Sequence, residues 1–199
     1  MNKKGTEKKT ETTNQTKSHE SFVENHLKEI GVKEGYIVLD YGCGDGNYTI
    51  PIVRILERTG QVFALDEDRA KIDQLKAKVK MLGVEERIQT IKTDGQLTIP
   101  LENETVNISF LFNVTCCIIG KNNFFNMQKL IIEIHRITKN NGKIIIGIKE
   151  GKTMKNRLDK IIPLIQDFFI LEKKEKNKYF DGNKLRNGLF YYLTKKPLK

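Results

Sequence analysis

The stretch Val38–Thr49, "VLDYGCGDGNYT", decides how the chain is read. Apolar residues run into an acid, Asp40, and glycines then stand at every second position: Gly42, Gly44 and Gly46. Glycine costs backbone entropy and packs nothing, so three within five residues weaken the chain locally. Such a loop directly after a strand implies a ligand that must come very close to the backbone.

The sequence on either side supplies the strand and its successors. "YIVLD" (36–40) is a short apolar run ending in an acid, the pattern of a strand buried on both faces of a parallel sheet. A helix follows through about Arg58, with Pro51 near its first turn, where a missing N–H costs little. "GQVFALD" (60–66) predicts a second strand, and Ile72, Leu75, Val79 and Leu82 form the inner stripe of a helix at about 68–82. "RIQTIKTD" (87–94) predicts a third strand, alternating more than the others and so nearer an edge. "VNISFLFN" (106–113) and "KIIIGIKE" (143–150) predict the fourth and fifth, separated by a helix at about 123–138 and a turn at "NNG" (140–142). Strand alternating with helix is the pattern of a right-handed parallel sheet covered on both faces. Pro163 should kink or end a helix at about 153–166. "FFILEKKE" (168–175) and "LFYYLTKK" (189–196), joined by a polar loop at 176–188, predict a terminal antiparallel pair at one edge. The fold class is therefore α/β: a Rossmann-like, doubly wound sheet of five parallel strands plus a C-terminal antiparallel pair.

Upstream, residues 1–18 are polar and without periodicity, which predicts a disordered tail before a single domain at 19–199. Phe22, Val23, His26, Leu27 and Ile30 then recur at helical spacing. The chain has no run of 18 apolar residues and no apolar leader, and its three cysteines make neither a disulfide framework nor a metal site. These features predict a reduced, cytoplasmic protein. The net charge of +10 is unevenly spread: residues 21–151 hold 17 basic and 17 acidic residues, whereas 152–199 hold 13 and five. A basic C-terminal quarter can bind phosphate, or can simply solubilise a surface with lysine.

Open α/β sheets bind ligands at the carboxyl ends of their strands. A dinucleotide loop, G-x-G-x-x-G, would need glycine at 47, where this chain has Asn47. The phosphate loop G-x-x-x-x-G-K-[ST] is also absent. Asp40 would repel a pyrophosphate but suits an ammonium group. Asp66 ends the second strand 20 residues after Gly46, where a carboxylate meets both hydroxyls of a ribose. Asp94 ends the third strand. Each acid alone could be a helix cap or turn residue. Three at successive strand ends point to a cationic nucleoside.

These segments together resemble the class I S-adenosylmethionine-dependent methyltransferases. "VLDYGCGDGNYT", "VFALDED", "TDGQLTIPLENETVNISFL" and "IIEIHRITKNNGKIIIGI" are similar to four of that family's motifs, in order. The resemblance covers about residues 20–196. It implies S-adenosylmethionine as cofactor and S-adenosylhomocysteine as product. It implies that Gly42, Cys43 and Gly44 admit the methionine and adenosine parts, with Asp40 near the amino group. Asp66 would hold the ribose with Glu67 beside it, Asp94 would accept from the adenine amine, and Gly95 would donate from its backbone. Asn113 would line the sulfonium and the substrate entrance. Asn107 and "NNG" depart from the commoner acid and Pro-Gly-Gly patterns, and "NVTCC" (113–117) differs from the Asn/Asp-Pro-Pro-Tyr/Phe of amino-methylating DNA and glutamine enzymes.

No catalytic base emerges from the sequence. Tyr48 either faces the cofactor or packs; Cys116 and Cys117 read as small buried hydrophobes, and His135 as a structural histidine. His19 and His26 have no assigned role. The largely apolar "VTCCIIGKNNFF" (114–125) favours a small-molecule acceptor. RNA or protein acceptors, guided by the basic C-terminal quarter, are the alternative. A non-catalytic cofactor-binding partner is a third reading. The sequence predicts no membrane span and is silent on oligomeric state.

Overall fold

The computed structural model describes residues 21–93, 97–115, 118, 124–181 and 184–197. Seven strands form one sheet: β1 (Ile37–Tyr41), β2 (Gln61–Asp66), β3 (Ile88–Lys92), β4 (Val106–Phe112), β5 (Thr138–Lys149), β6 (Phe169–Asp181) and β7 (Lys184–Lys195). Their order is β3-β2-β1-β4-β5-β7-β6. β1 to β5 pair in parallel, and the reversal of order at β1/β4 creates the crevice in which such sheets bind ligands. β3 is an edge strand, as its alternation predicts.

One face of the sheet is covered by α1 (21–30), α2 (Thr49–Ile55) and α3 (Arg69–Leu82). Val23, Leu27, Ile52, Ile72, Leu75 and Phe110 pack in that core. The other face is covered by α4 (Phe124–Ile137) and α5 (Lys152–Gln166), with Leu39, Leu111, Leu130, Ile146 and Ile161 inside. Local chemistry sets the boundaries. Asp68 caps α3 by accepting from the Ala70 and Lys71 amides, and Gly83 ends it in the left-handed conformation. Asn107 takes up the Ile37 amide at 2.9 Å and so fixes the start of β1 against β4.

Three expectations are corrected. First, Pro163 does not end α5, which continues to Gln166. Pro163 sits in the last turn on the exposed side, and buried Ile161, Ile162 and Ile165 hold that turn on the sheet. Second, "NNG" is not a turn between elements: α4 passes directly into β5, and residues 139–142 form a bulge within the strand, with Asn141 at φ 60°. Third, the described residues of the polar segment, 176–181 and 184–188, are strand and not loop. They continue the β6–β7 ladder as far as Asp181↔Lys184. The terminal antiparallel pair stands at one edge as expected, with β7 inserted between β5 and β6 and antiparallel to both.

Candidate active site

The glycine loop leaves β1 and bends back over the end of β2. The Gly42 and Cys43 amides both donate to the Leu65 carbonyl, at 2.7 and 2.9 Å. Gly42 has φ 78°, and a Cβ there would lie 2.1 Å from the Val114 side chain. The loop thus touches the segment after β4, and only glycine fits the contact. Gly44 differs: nothing lies within 4 Å of where its Cβ would be, so its backbone is open to a ligand. On the outer side Lys78 of α3 clamps the loop, donating to the Asp45 carboxylate at 2.9 Å and to its carbonyl at 2.7 Å.

Asp66 stands directly under this loop. One carboxylate oxygen accepts from the Gly44 amide at 2.7 Å, the other from the Asp68 amide at 2.9 Å. A carboxylate offers about four acceptor positions, so two remain for a vicinal diol. Glu67 is exposed beside it. Asp40 is only 3% exposed and accepts from the Thr49 hydroxyl at 2.6 Å. Burial pushes its carboxyl up to about 6, against the Thr49 bond and with help from the Asp66 charge. Asp40 is therefore tied to the first turn of α2, deeper than a residue on the wall of an open crevice. Cys43 is buried too; burial first, then Asp40 and Asp66, raise its thiol far above the reactive range. Asn113 ends β4 at φ 59°, a conformation asparagine tolerates, and its amide donates to the Gly147 carbonyl at 2.8 Å. Asp94, Gly95, Cys116 and Cys117 lie outside the described residues. The structure therefore brings Asp40, Gly42, Cys43, Gly44, Asp66, Glu67 and Asn113 to one end of the sheet.

Beyond Asn113 the same face carries a buried aromatic cluster that the sequence did not disclose. Tyr48 meets Phe112 edge-on at 4.6 Å, and Phe112 meets Phe190 at 5.7 Å. Phe190 meets Tyr179 at 6.4 Å and His26 at 5.3 Å. Two glycines make room for these rings. A Cβ on Gly147 would lie 2.7 Å from Phe112 and 2.9 Å from Phe190; one on Gly188 would lie 2.7 Å from Tyr179. His26 joins α1 to β6 through Asn177, at 3.2 Å. Its other ring nitrogen is buried and without a partner among the described residues, and burial lowers its pKa, so the ring is neutral at pH 7. His135 is structural: it lies by Phe168 and Phe169, with Nε2 3.2 Å from the Lys196 carbonyl.

A family model described as a methyltransferase domain matches residues 32–181. The chain belongs to this methyltransferase-domain family. A demethylmenaquinone methyltransferase of Lactobacillus johnsonii is 26% identical over 68% of this chain and 52% of its own length. A probable cobalt-precorrin-6B C(15)-methyltransferase of Saccharolobus solfataricus is 26% identical over 86% of this chain and 84% of its own. The chain spans about half the length of the quinone methyltransferases it matches. A SAM-dependent methyltransferase from Aquifex aeolicus has the same fold, with a TM-score of 0.66, 22% identity, and coverage of 85% of this chain and 88% of that one. S-adenosylmethionine is the cofactor of this methyltransferase family. The site fits it: Asp66 keeps two acceptor positions for a diol, Gly44 leaves space at the backbone, and Asp40 provides a nearby carboxylate.

Proposed function

We propose that this chain transfers the methyl group of S-adenosylmethionine to a small, largely apolar acceptor. The observation that supports an apolar acceptor is the buried aromatic cluster of Tyr48, Phe112, Phe190 and Tyr179, which makes the carboxyl ends of β4, β5 and β6 and the adjoining amino-terminal half of β7 apolar beside the glycine loop. The quinone and precorrin methyltransferases among its relatives support a small acceptor.

In this reading Asp66 accepts the ribose hydroxyls, with Glu67 beside it. Gly42, Cys43 and Gly44 give the backbone approach, and the ionised Asp40 faces the ammonium end. Asn113 lines the sulfonium. Asp94 and Gly95 are assigned to the adenine on the sequence alone. When bound, the cofactor supplies a methyl group already activated on a sulfonium. The chain's own residues have to align the acceptor and exclude water, the positioning that dominates such transfers.

The test is transfer of labelled methyl from S-adenosylmethionine into a metabolite extract and into total RNA in parallel. The label is expected in the low-molecular-mass, organic-extractable fraction. Label confined to RNA would overturn the acceptor class. Calorimetry with S-adenosylhomocysteine checks the cofactor assignment separately: Asp66→Ala should weaken binding at least tenfold, because hydrogen bonds to a charged group are lost.

A further inference from the structure

α1 is tied to β6 by a side-chain pair whose bond depends on one proton. His26 of α1 places Nδ1 3.2 Å from Nδ2 of Asn177. The Asn177 amide is itself held in orientation, because its Oδ1 accepts from the Lys178 backbone amide at 2.7 Å. Asn177 therefore turns its NH2 toward the ring, and an NH2 only donates. Nδ1 must be the bare, accepting nitrogen, which puts the proton of the neutral ring on Nε2. Nε2 is buried and without a partner among the described residues, which costs free energy in the fastened state. The ring is 5% exposed and lies edge-on to Phe190, whose partner across the ladder is Gly147. The Gly147 carbonyl in turn accepts the Asn113 amide. The His26–Asn177 pair thus backs the strand ends that carry the candidate site.

A second proton cannot be added in place. An imidazolium has two N–H donors and no acceptor. Its Nδ1–H would face the Asn177 NH2, and rotating that amide would give up the Lys178 bond. The charged groups around the ring decide where it turns. From α1, a Glu29 carboxylate oxygen lies 3.9 Å from Nδ1, on a side chain that is 75% exposed. From β6, Lys173 repels a charged ring and Glu175 attracts it. Glu175 already takes the Lys173 ammonium at 2.8 Å and the Tyr192 hydroxyl of β7 at 2.6 Å. Glu29 is therefore the acceptor on offer, on the solvent side of the helix. Burial holds the His26 pKa below its ordinary 6.5, against the pull of Glu29 and Glu175. The exchange of partners consequently falls on the acid side of neutrality.

We propose that His26 and Asn177 form an acid-released latch: the neutral ring ties α1 to β6 behind the candidate site, and the protonated ring turns outward to Glu29 and frees the two elements. Release is local, since Val23 and Leu27 stay in the core and Glu24 keeps its pairing with Arg54 of α2 at 3.3 Å. Any effect on methyl transfer rests on the function proposed above; the latch itself does not.

The test follows the full chain from pH 7.5 to 4.5, reading the His26 ring by nitrogen NMR and backbone amides by hydrogen exchange corrected for its intrinsic pH dependence. The ring should carry its proton on Nε2 at pH 7.5. Protection of residues 21–30 and 176–179 should fall about tenfold as that ring titrates, while α3 holds. His26→Phe keeps a ring against Phe190 and should abolish the step. Asn177→Asp offers the charged ring a carboxylate in place of the NH2, so protection should rise as the ring titrates. The latch is overturned by a proton on Nδ1 at pH 7.5, by a ring that stays neutral down to pH 4.5, or by unchanged protection of the two segments in the parent. A step that survives in both variants, or one shared equally by α3, overturns it as well.

Discussion

Asp40 carries a charge that its surroundings resist. Its carboxyl is raised to about 6 by burial, above the 3.8 of an exposed aspartate. Between about pH 4 and 6 the folded chain therefore binds a proton that the unfolded chain has released, and this residue's contribution to stability falls as pH rises through that window. Above it, holding the ionised carboxylate in the fold costs about 3 kcal/mol. Asp40→Asn keeps the shape and an acceptor for Thr49 but removes the charge. The variant should melt at a higher temperature than the parent at pH 7, and the gap should close at pH 4, where both side chains are neutral. A ligand ammonium placed near it should favour the ionised form. S-adenosylhomocysteine should then bind more tightly at pH 7 than at pH 5 in the parent, with a much flatter dependence in Asp40→Asn. Calorimetry at the two pH values reads this directly, and equal slopes would remove Asp40 from the cofactor site. Gly42 is the steric counterpart. Gly42→Ala forces a Cβ to within 2.1 Å of Val114 at a positive φ, and should cost roughly 1–3 kcal/mol in denaturant melts as well as cofactor affinity.

At the scale of elements, α5 and the β6–β7 arm show where periodicity misleads. Proline removes a donor and crowds the carbonyl four residues back, so a break at Pro163 is the local expectation. The buried stripe of Leu158, Ile161, Ile162 and Ile165 overrides it by packing the final turn onto the sheet. The local cost is still present, so Pro163→Ala should raise stability by about 1–3 kcal/mol in thermal or denaturant melts without changing the fold. A lower melting temperature would mean that the ring itself packs or restrains the unfolded chain more than it strains the helix. In the arm the physics runs the other way. Lys176, Lys178, Lys184 and Arg186 give no apolar alternation, because two strands standing beyond the sheet have little core to face. What anchors them is Tyr179 lying over Gly188. Gly188→Ala should dislodge that ring, loosen residues 176–187 to hydrogen exchange and leave S-adenosylhomocysteine binding intact. Unchanged exchange in the arm would show that the ladder alone holds it.

Across the whole molecule, what the sequence disclosed was local and what it hid was assembled. Strands β1 to β5 were legible as short apolar runs, since burial on both faces leaves that signature. The glycine loop and Asp66 were legible because close backbone approach and diol recognition each demand particular residues at particular spacing. The buried aromatic cluster was not: Tyr48, Phe112, Tyr179 and Phe190 come from four separate segments, joined over Gly147 and Gly188. His26 was likewise invisible until α1 met Asn177. The basic C-terminal quarter was visible as a total but not as a distribution. In the structure much of it is neutralised in place: Lys155, Lys173, Lys174, Lys176 and Lys195 all pair with acids. A small apolar acceptor and a polyanion then differ in their response to salt. A polyanion engaging six cations would lose several hundredfold in affinity between 50 and 200 mM salt. A small acceptor has no condensed counterions to release, so its KM, once the extract assay identifies it, should change less than twofold across that range. A loss of several hundredfold would assign the basic quarter to substrate recognition.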